Sequence, residues 1–198
     1  MDMSTFVQHI TEFHAQAIIQ WKADGVHLTQ QGPMAHVECN HSFNFQLWHA
    51  EDRARRQDMG DAFVVKAKRE IDHCNQQRNN AMEKIDQDLI QLLHPASHEA
   101  CKVHSETPGM MIDRLSILSL KIYHMKEQTL RQDVEEAHLT NCLQKYQQLQ
   151  TQHQQLSNCL KDLLEEVKHQ TRTFRVYHQH KMYNDPSLNP ELYQKTHA

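Results

Sequence analysis

One short segment of the sequence brings together several side chains that could do chemistry. Trp48-His49-Ala50-Glu51-Asp52-Arg53 carries an imidazole, two carboxylates and a guanidinium within about one and a half turns of a helix. His49 and Asp52 lie three residues apart and therefore share a helix face. They could act as an oriented acid–base pair, or bind one metal ion together. Alternatively, His49 is a surface residue followed by ordinary charge pairs. The position of Asp52 one turn after Trp48, on a face expected to be buried, weakens that interpretation.

A second set of polar side chains follows one face of a long predicted helix. Steps of four and three residues separate its members, which are Asp72, Gln76, Asn79, Glu83 and Asp86. The neighbouring apolar seam is interrupted by Lys68, Asn75 and Arg78, so polar groups surround the middle of this helix. We therefore expect some of them inside the protein, where buried charges require partners such as Arg53, Arg56 or Arg114.

The loop before another predicted helix has two interpretations. Ser105-Glu106-Thr107-Pro108-Gly109 combines a capping residue, Thr107, with a proline suited to the first helical position. Free N–H groups and the positive end of the helix dipole attract anions, so a sugar phosphate could dock at this helix start. Alternatively, Ser105, Glu106 and Thr107 only cap the helix. On spacing alone, capping is the simpler interpretation.

Composition and charge exclude several classes of protein. The formal net charge is −4 and the basic runs are interleaved with acids, so no nucleic-acid partner is expected. No stretch approaches the roughly 18 apolar residues of a membrane span, and the N-terminus lacks a signal-peptide pattern, which together indicate the cytoplasm. The 5 widely spaced cysteines predict reduced thiols. No nucleotide-binding or metalloprotease motif occurs, so the cofactor is unknown.

The spacing of apolar residues and the scarcity of glycine predict an all-α fold in a single domain of residues 1–198. The expected architecture is an elongated antiparallel bundle of about five helices. The N-terminal segment (1–35) contains a helix over 6–22 and a loop. The core helices with the polar motifs (40–132) are predicted over 41–58 and 61–93, with a fourth that starts at Thr107-Pro108. A very long C-terminal helix (133–183), with a Gln-rich middle at 144–155, is followed by an extended tail (184–198). The tail should pack back on the bundle through Leu188, Leu192 and Tyr193. The apolar fraction of 38% is below the roughly 45–50% of globular chains and is compatible with a homodimer.

Several separated motifs resemble one known family. They are Phe43-Asn44-Phe45-Gln46-Leu47-Trp48-His49-Ala50-Glu51-Asp52-Arg53-Ala54-Arg55-Arg56, Ile71-Asp72 with Asn75-Gln76 and Arg78-Asn79, Glu106-Thr107-Pro108-Gly109 with Ile112-Asp113-Arg114-Leu115-Ser116-Ile117-Leu118, and Tyr183-Asn184-Asp185-Pro186 with Asn189-Pro190. Together they are similar to a bacterial family of unknown function whose members are often encoded beside lipopolysaccharide heptosyltransferases and other glycosyltransferases. The resemblance extends over roughly residues 40–193. It does not explain the Gln-rich segment.

The resemblance implies that the polar motif residues form a site linked to cell-surface polysaccharide or lipopolysaccharide metabolism. The leading hypothesis is a phosphorylated or nucleotide-linked sugar bound at a polar site in the bundle, with transferase or hydrolase chemistry if the protein is an enzyme. The candidate catalytic residues are His49, Asp52, Asp72 and Asp113. The candidate ligand-binding residues are Arg53, Arg56, Asn75, Gln76, Arg78, Asn79, Glu106 and Arg114.

Two other hypotheses belong to different classes. In the first, a ferritin-like bundle binds one or two metal ions through carboxylates and an imidazole. Its candidate ligands are His49, Asp52, Asp72, Glu83 and Asp113. In the second, the protein is a non-catalytic adaptor of a glycosyltransferase, and its polar interior only fixes the helix register.

Overall fold

The computed structural model describes residues 2–178, 182 and 185–193, and in these residues the all-α prediction is confirmed. The elements, in order, are α1 (Met3–Asp24), α2 (Pro33–Ala54), a short 3₁₀ turn (Gln57–Met59), α3 (Asp61–Leu93), β1 (Lys102–His104), α4 (Pro108–Thr129), α5 (Glu136–Lys168), β2 (Arg172–Phe174) and α6 (Pro190–Tyr193). Five helices of 22 or 33 residues therefore carry the fold. No helix in the described part of the chain is long and apolar enough to cross a membrane.

Local sequence signals set most of the helix ends. Asp2 caps α1 by accepting the N–H of Thr5, and Gly25 ends the helix with φ 83°. The predicted start of α4 is confirmed, because Thr107 accepts the N–H of Met110 and Pro108 takes the first helical position. Helix α3 has the predicted bounds, and Gly60 is its N-cap.

The predicted start of the second helix is wrong. Helix α2 begins at Pro33, eight residues before the expected position, and Gly32 precedes it with φ 59°. The Gly-Pro pair was interpreted as a loop, but proline is favourable at the first helical position because its missing N–H would be unpaired there anyway. The loop before α2 is held by the buried carboxylate of Glu38, which accepts the N–H groups of Thr29 and Gln30.

The predicted length of the C-terminal helix is also wrong. Helix α5 ends at Lys168, and Gln170 follows with φ 59°. The chain then forms β2, which pairs in parallel with β1. Strand β1 lies in the connection between α3 and α4. Thr173 donates its hydroxyl to the carbonyl of Ala96, and the ring of Phe174 is buried. These contacts replace the helix that was expected to continue.

The proline-containing tail lies partly outside the described residues, which leave out Tyr183, Asn184 and residues 194–198. In the described part, the side chains expected to pack on the bundle remain about half exposed. They are Leu188, Leu192 and Tyr193, with exposed fractions of 49%, 55% and 52%. These three side chains therefore do not supply the expected packing.

The apolar core lies where α1, α3, α4 and α5 meet. Its fully buried members include Ile10 of α1, Ile112 and Leu115 of α4, and Leu160 of α5. Helix α3 approaches α4 closely at Gly109, where an added Cβ would lie 2.5 Å from the carbonyl oxygen of Met82. Helix α2 packs along α3, and this arrangement brings polar side chains of α2, α3 and α4 together in the middle of the fold.

Candidate functional site

A pocket of about 300 Å³ opens between α2, α3 and α4. Its lining residues are Asn44, Leu47, Trp48, Glu51, Asp52, Arg55, Arg78, Ile117 and Leu120. We refer to it as the α2–α4 pocket. Residues Asn44, Trp48, Glu51 and Arg55 recur at steps of three or four along α2 and so face the pocket together. One stripe of α2 thus supplies most of the polar groups.

The rim of the α2–α4 pocket carries balanced charges. Arg55 donates to the carboxylate of Glu51 at 2.8 Å, one turn away. Asp52 is exposed beside them, and the guanidinium of Arg78 lines the pocket from α3. Two carboxylates and two guanidinium groups therefore surround an apolar wall that includes Trp48. Such a lining can hydrogen-bond a polar ligand without a strong preference for either sign of charge.

The pocket is joined to a buried polar cluster through Asn44 and Arg78. Nη1 of Arg78 donates to Oδ1 of Asn44 at 3.2 Å and lies 3.5 Å from Oδ2 of Asp113. Its Nε is buried and has no hydrogen-bond partner. An unpaired buried donor of this kind carries a desolvation cost.

Asp113 is the acceptor at the centre of this cluster. Its Oδ1 accepts from Nδ2 of Asn40 at 2.9 Å and from Nδ2 of Asn44 at 2.8 Å. Its Oδ2 faces Arg78. The second Asn40 hydrogen goes to the carbonyl of Arg78 at 3.2 Å, and the second Asn44 hydrogen goes to Ser116 at 3.0 Å. One buried carboxylate therefore organises side chains from three helices.

The hydrogen bonds of His41 fix its protonation. Its Nε2 lies 3.0 Å from the carbonyl oxygen of His14, which can only accept, so Nε2 carries the proton. Burial lowers the pKa of His41 to about 3, so the ring is neutral and Nδ1 must accept. The hydroxyl of Ser116, 2.7 Å away, is the donor. A directional chain therefore runs from Asn44 through Ser116 to His41.

The ring of His14 lies against the ring of His41, tilted by 31°, and forms no hydrogen bond of its own. The two ring centroids are 4.4 Å apart, and neither His14 nitrogen has a partner. Complete burial, with the neighbouring rings of His41 and His153, lowers the pKa of His14 well below its usual value. At neutral pH the two imidazoles are both uncharged, which a buried pair requires.

The Ser116–His41 pair has the geometry of a nucleophile and its base, but it is closed to substrates. A hydroxyl that donates to an imidazole at this distance could be activated if a substrate reached it. Both residues have exposed fractions of 0%. The pair therefore positions Asn44, and Asn44 is the member of the cluster that lines the α2–α4 pocket.

The structure brings together only some of the predicted site residues. Asp113 and Arg78 meet in the buried cluster. Asp52 lies at the rim of the α2–α4 pocket, which Arg78 also lines. Asn79 is buried on α3, Asn75 is half-buried, and Gln76 donates to Asn80. Asp72, another candidate catalytic residue, is exposed and does not line the pocket.

The other predicted arginines form separate ion pairs. Arg53 contacts Glu70, Arg56 contacts Asp58, and Arg114 contacts Glu106. All three pairs are substantially exposed, and the arginines do not line the α2–α4 pocket. Arg53 therefore does pair with a carboxylate of α3, Glu70, as expected, whereas Arg56 and Arg114 pair with acids outside α3. Exposed pairs of this kind contribute little to stability.

His49 does not line the α2–α4 pocket, although it shares a helix face with Asp52, which does. Its ring packs against Phe45 at 4.7 Å and approaches His124 at 6.2 Å. Burial and the neighbouring imidazole of His124 lower its pKa. One step along a helix rotates a side chain by about 100°, which separates His49 from Trp48 and its pocket.

The five residues proposed as metal ligands do not form a site. Within the described residues, no group of three or more His, Cys, Asp or Glu side chains is arranged to hold a metal ion. Asp113 is enclosed by two asparagines and Arg78, while Glu83 contacts His178 at 2.8 Å. Asp52 and Asp72 are exposed.

The sequence reasoning missed five members of the buried cluster: His14, Asn40, His41, Asn44 and Ser116. A signal existed for the first, because His14 interrupts the apolar stripe of α1 between Ile10 and Ala17 at the core spacing. No comparable signal identified Asn40 and His41, since the helix was expected to start only there. Ser116 follows Asp113 by three residues, which puts both on one face of α4.

Fold and site together define a class of protein: an all-α chain whose long helices enclose a hydrogen-bonded polar centre beside a small pocket. The chain belongs to the family described as Protein of unknown function (DUF4254), which matches residues 34–176. The prediction of a family of unknown function is thereby confirmed. All residues of the α2–α4 pocket lie inside the matched segment, whereas His14 lies outside it. No curated protein and no solved structure matches the chain.

Proposed function

We propose that the α2–α4 pocket binds the sugar moiety of a phosphorylated or nucleotide-linked sugar. The observation that carries this proposal is one small pocket that combines an indole wall with carboxylate, guanidinium and amide groups. Sugars present hydroxyl groups that both donate and accept, together with apolar C–H faces. Glu51 and Asp52 can accept from such hydroxyls, Arg78 can donate to them, and Trp48 offers an apolar surface.

The size of the pocket favours a single sugar ring. Small-molecule sites occupy about 300–1,000 Å³, and the α2–α4 pocket is at the lower end of that range. A long glycan chain would not be enclosed. The association with lipopolysaccharide glycosyltransferases implied by the family resemblance agrees with a sugar ligand.

The buried cluster supports the pocket by fixing its polar floor. The Asn44 amide has both hydrogens engaged by Asp113 and Ser116, so it cannot rotate without breaking these bonds. Arg78 is similarly oriented by Asn44 and Asp113. Preorganised groups lose less entropy when a ligand binds, which increases affinity. The cluster therefore has a positioning role in this proposal.

Tryptophan fluorescence provides the direct test. The chain has 2 tryptophans, and Trp21 is buried in the core while Trp48 lines the pocket. In a Trp21→Phe background, Trp48 is the sole indole and reports on the pocket. We expect a saturable fluorescence change with sugar phosphates or nucleotide sugars. Added Asp52→Asn should weaken this binding about tenfold, since a charged hydrogen-bond acceptor is removed.

Asp72→Asn is the matched control, because it removes one exposed carboxylate outside the pocket and should leave affinity unchanged. Thermal unfolding of each variant checks that the fold persists. The proposal is wrong if a panel of aldose phosphates and nucleotide sugars causes no saturable change at Trp48. It is also wrong if Asp52→Asn and Asp72→Asn weaken binding equally.

A further inference from the structure

A second pocket, of about 460 Å³, lies beside Trp48 between α2, α4 and α5. Its lining residues are Trp48, Lys121, His124, Met125, Gln128, Lys145, Gln148, Leu149 and Gln152. We refer to it as the α4–α5 pocket. Trp48 lines both this pocket and the α2–α4 pocket, so the two cavities are neighbours on one surface.

The α4–α5 pocket differs from its neighbour in charge. Lys121 and Lys145 line it, and its lining contains no carboxylate. Among the described residues, neither lysine forms an ion pair with an acid. The nearby Glu127 is engaged by Lys22 and by Nδ1 of His124. Two uncompensated ammonium groups at one pocket attract an anion, and the α2–α4 pocket has no such excess.

The remaining lining suits an aromatic ring with polar edges. Met125 and Leu149 provide apolar surface beside the indole of Trp48, which stacks on His124 at 4.5 Å. Amide groups come from Gln128, Gln148 and Gln152. A glutamine side chain both donates and accepts, as the edge of a nucleobase requires. An inorganic anion would use the lysines but not this apolar and amide surface.

We propose that the α4–α5 pocket binds the nucleoside diphosphate portion of a nucleotide sugar. The diphosphate contacts Lys121 and Lys145, and the base lies against Met125 and Leu149. This inference rests on the proposed function, in which the sugar occupies the α2–α4 pocket on the other side of Trp48. It selects a nucleotide-linked sugar over a simple sugar phosphate.

The proposal also gives a role to the Gln-rich segment of α5. Lys145, Leu149 and Gln152 are spaced by four and three residues, and Gln148 lies beside them on the same face. This face meets α4 across the pocket. A segment with little apolar content would stabilise a core poorly, but its polar side chains are suited to line a ligand-binding pocket.

Calorimetric titration of the full chain with free nucleoside diphosphates and with inorganic pyrophosphate tests the inference. We expect at least one nucleoside diphosphate to bind more tightly than pyrophosphate. Lys121→Ala and Lys145→Ala should each weaken that binding about tenfold, since each removes a charge-assisted hydrogen bond. Lys126→Ala is the control: it removes the same charge from α4 but faces a different groove, and affinity should not change.

A second pair of variants separates base recognition from charge. Gln148→Leu and Gln152→Leu should weaken nucleoside diphosphate binding but leave pyrophosphate binding unchanged. The inference is overturned if pyrophosphate binds as tightly as every nucleoside diphosphate, or if Lys126→Ala matches the pocket lysines. Failure of the sugar proposal gives a different result: Asp52→Asn would leave nucleotide-sugar binding unchanged, while lysine-dependent nucleotide binding would persist.

Discussion

We call the apolar core where α1, α3, α4 and α5 meet the apolar end, and the buried cluster around Asp113, His41 and Ser116 the polar centre. The two regions differ in the kind of side chain that they bury. At the apolar end, Ile112 and Leu160 fill space with side chains whose exposed fraction is 0%. At the polar centre, His41 and Ser116 are just as buried, and they occupy equivalent positions on the inner faces of α2 and α4. Apolar burial stabilises the fold at roughly 25 cal/mol per Å², whereas buried polar groups roughly break even when fully paired. The comparison teaches that stability comes mainly from the apolar end, whereas the polar centre fixes the relative positions of side chains from α2, α3 and α4.

The two regions also contain buried titratable groups with opposite responses to pH. Asp86 lies at the apolar end, where its Oδ1 accepts the N–H of Gly109 at 2.6 Å. Burial raises its pKa to about 6. At the polar centre, burial lowers the pKa of His41 to about 3. Burial favours the neutral form of both groups, so a falling pH removes the stability linked to His41 and a rising pH removes that linked to Asp86.

The largest expected effect is acid unfolding through the polar centre. Between pH 6.5 and about 3 the unfolded chain protonates His41 while the folded protein does not. Its contribution is therefore complete above pH 6.5 and lost as the pH falls to about 3, by roughly 5 kcal/mol. Urea unfolding followed by circular dichroism across this range should show the loss.

His41→Asn should reduce this dependence on pH, although it also lowers stability at neutral pH by breaking the bond to Ser116. His9→Asn, at an exposed position of α1, should leave the dependence intact. If the His41→Asn curve runs parallel to the wild-type curve, His41 does not drive acid unfolding.

Removal of the central carboxylate should have the next largest effect. Asp113→Ala leaves Arg78 and two asparagines without their acceptor, and loss of one partner of a buried ion pair costs about 3–5 kcal/mol. Asp113→Asn should cost less, because one oxygen can still accept. Chemical denaturation gives both values.

Asp72→Ala, beside Asp113→Ala, shows how much the exposed polar stripe of α3 contributes to stability relative to the buried cluster. Its free energy of unfolding should change by no more than about 0.5 kcal/mol, as for a surface substitution. Equal destabilisation by Asp72→Ala and Asp113→Ala would show that the buried cluster has no special role.

A smaller effect of pH than that of His41 concerns the apolar end. As the pH rises from 3.8 to about 6, the unfolded chain releases the Asp86 proton before the folded protein does. Stability linked to this group is complete below pH 3.8 and falls by about 3 kcal/mol as the pH passes 6. Asp86→Asn keeps an acceptor for Gly109 and removes the titration.

We therefore expect Asp86→Asn to be more stable than the wild type at neutral pH and similar to it below about pH 4. Denaturation at both pH values provides the measurement, with Asp72→Asn as the control on the same helix. A variant that is less stable than the wild type at neutral pH would contradict the assignment.

Much of the fold could be predicted from local sequence because its signals are local. The cap at Thr107-Pro108 and the bounds of α3 depend on residues within one turn of each helix end. The early start of α2 and the end of α5 could not be predicted in this way. The strand after α5 depends on β1, about 70 residues earlier in the chain, through pairing that no local pattern reports.

The candidate site could be predicted only in part. Arg78, Asp113 and Asp52 were identified, because polar residues on otherwise apolar faces stand out in a sequence. Their partners were missed. His14, His41 and Ser116 come from three helices, and their meeting depends on how each helix is rotated and packed against the others.

The sequence by itself determined the helical class, the family and most helix ends, since these follow from side-chain type and spacing along one chain. The tertiary structure decided which polar residues meet. Trp48 and His49 are neighbours in sequence, yet a rotation of about 100° directs Trp48 to the α2–α4 pocket and His49 toward Phe45. Helix periodicity fixes the angle between side chains of one helix, but only the packing between helices decides which part of the protein each side chain faces.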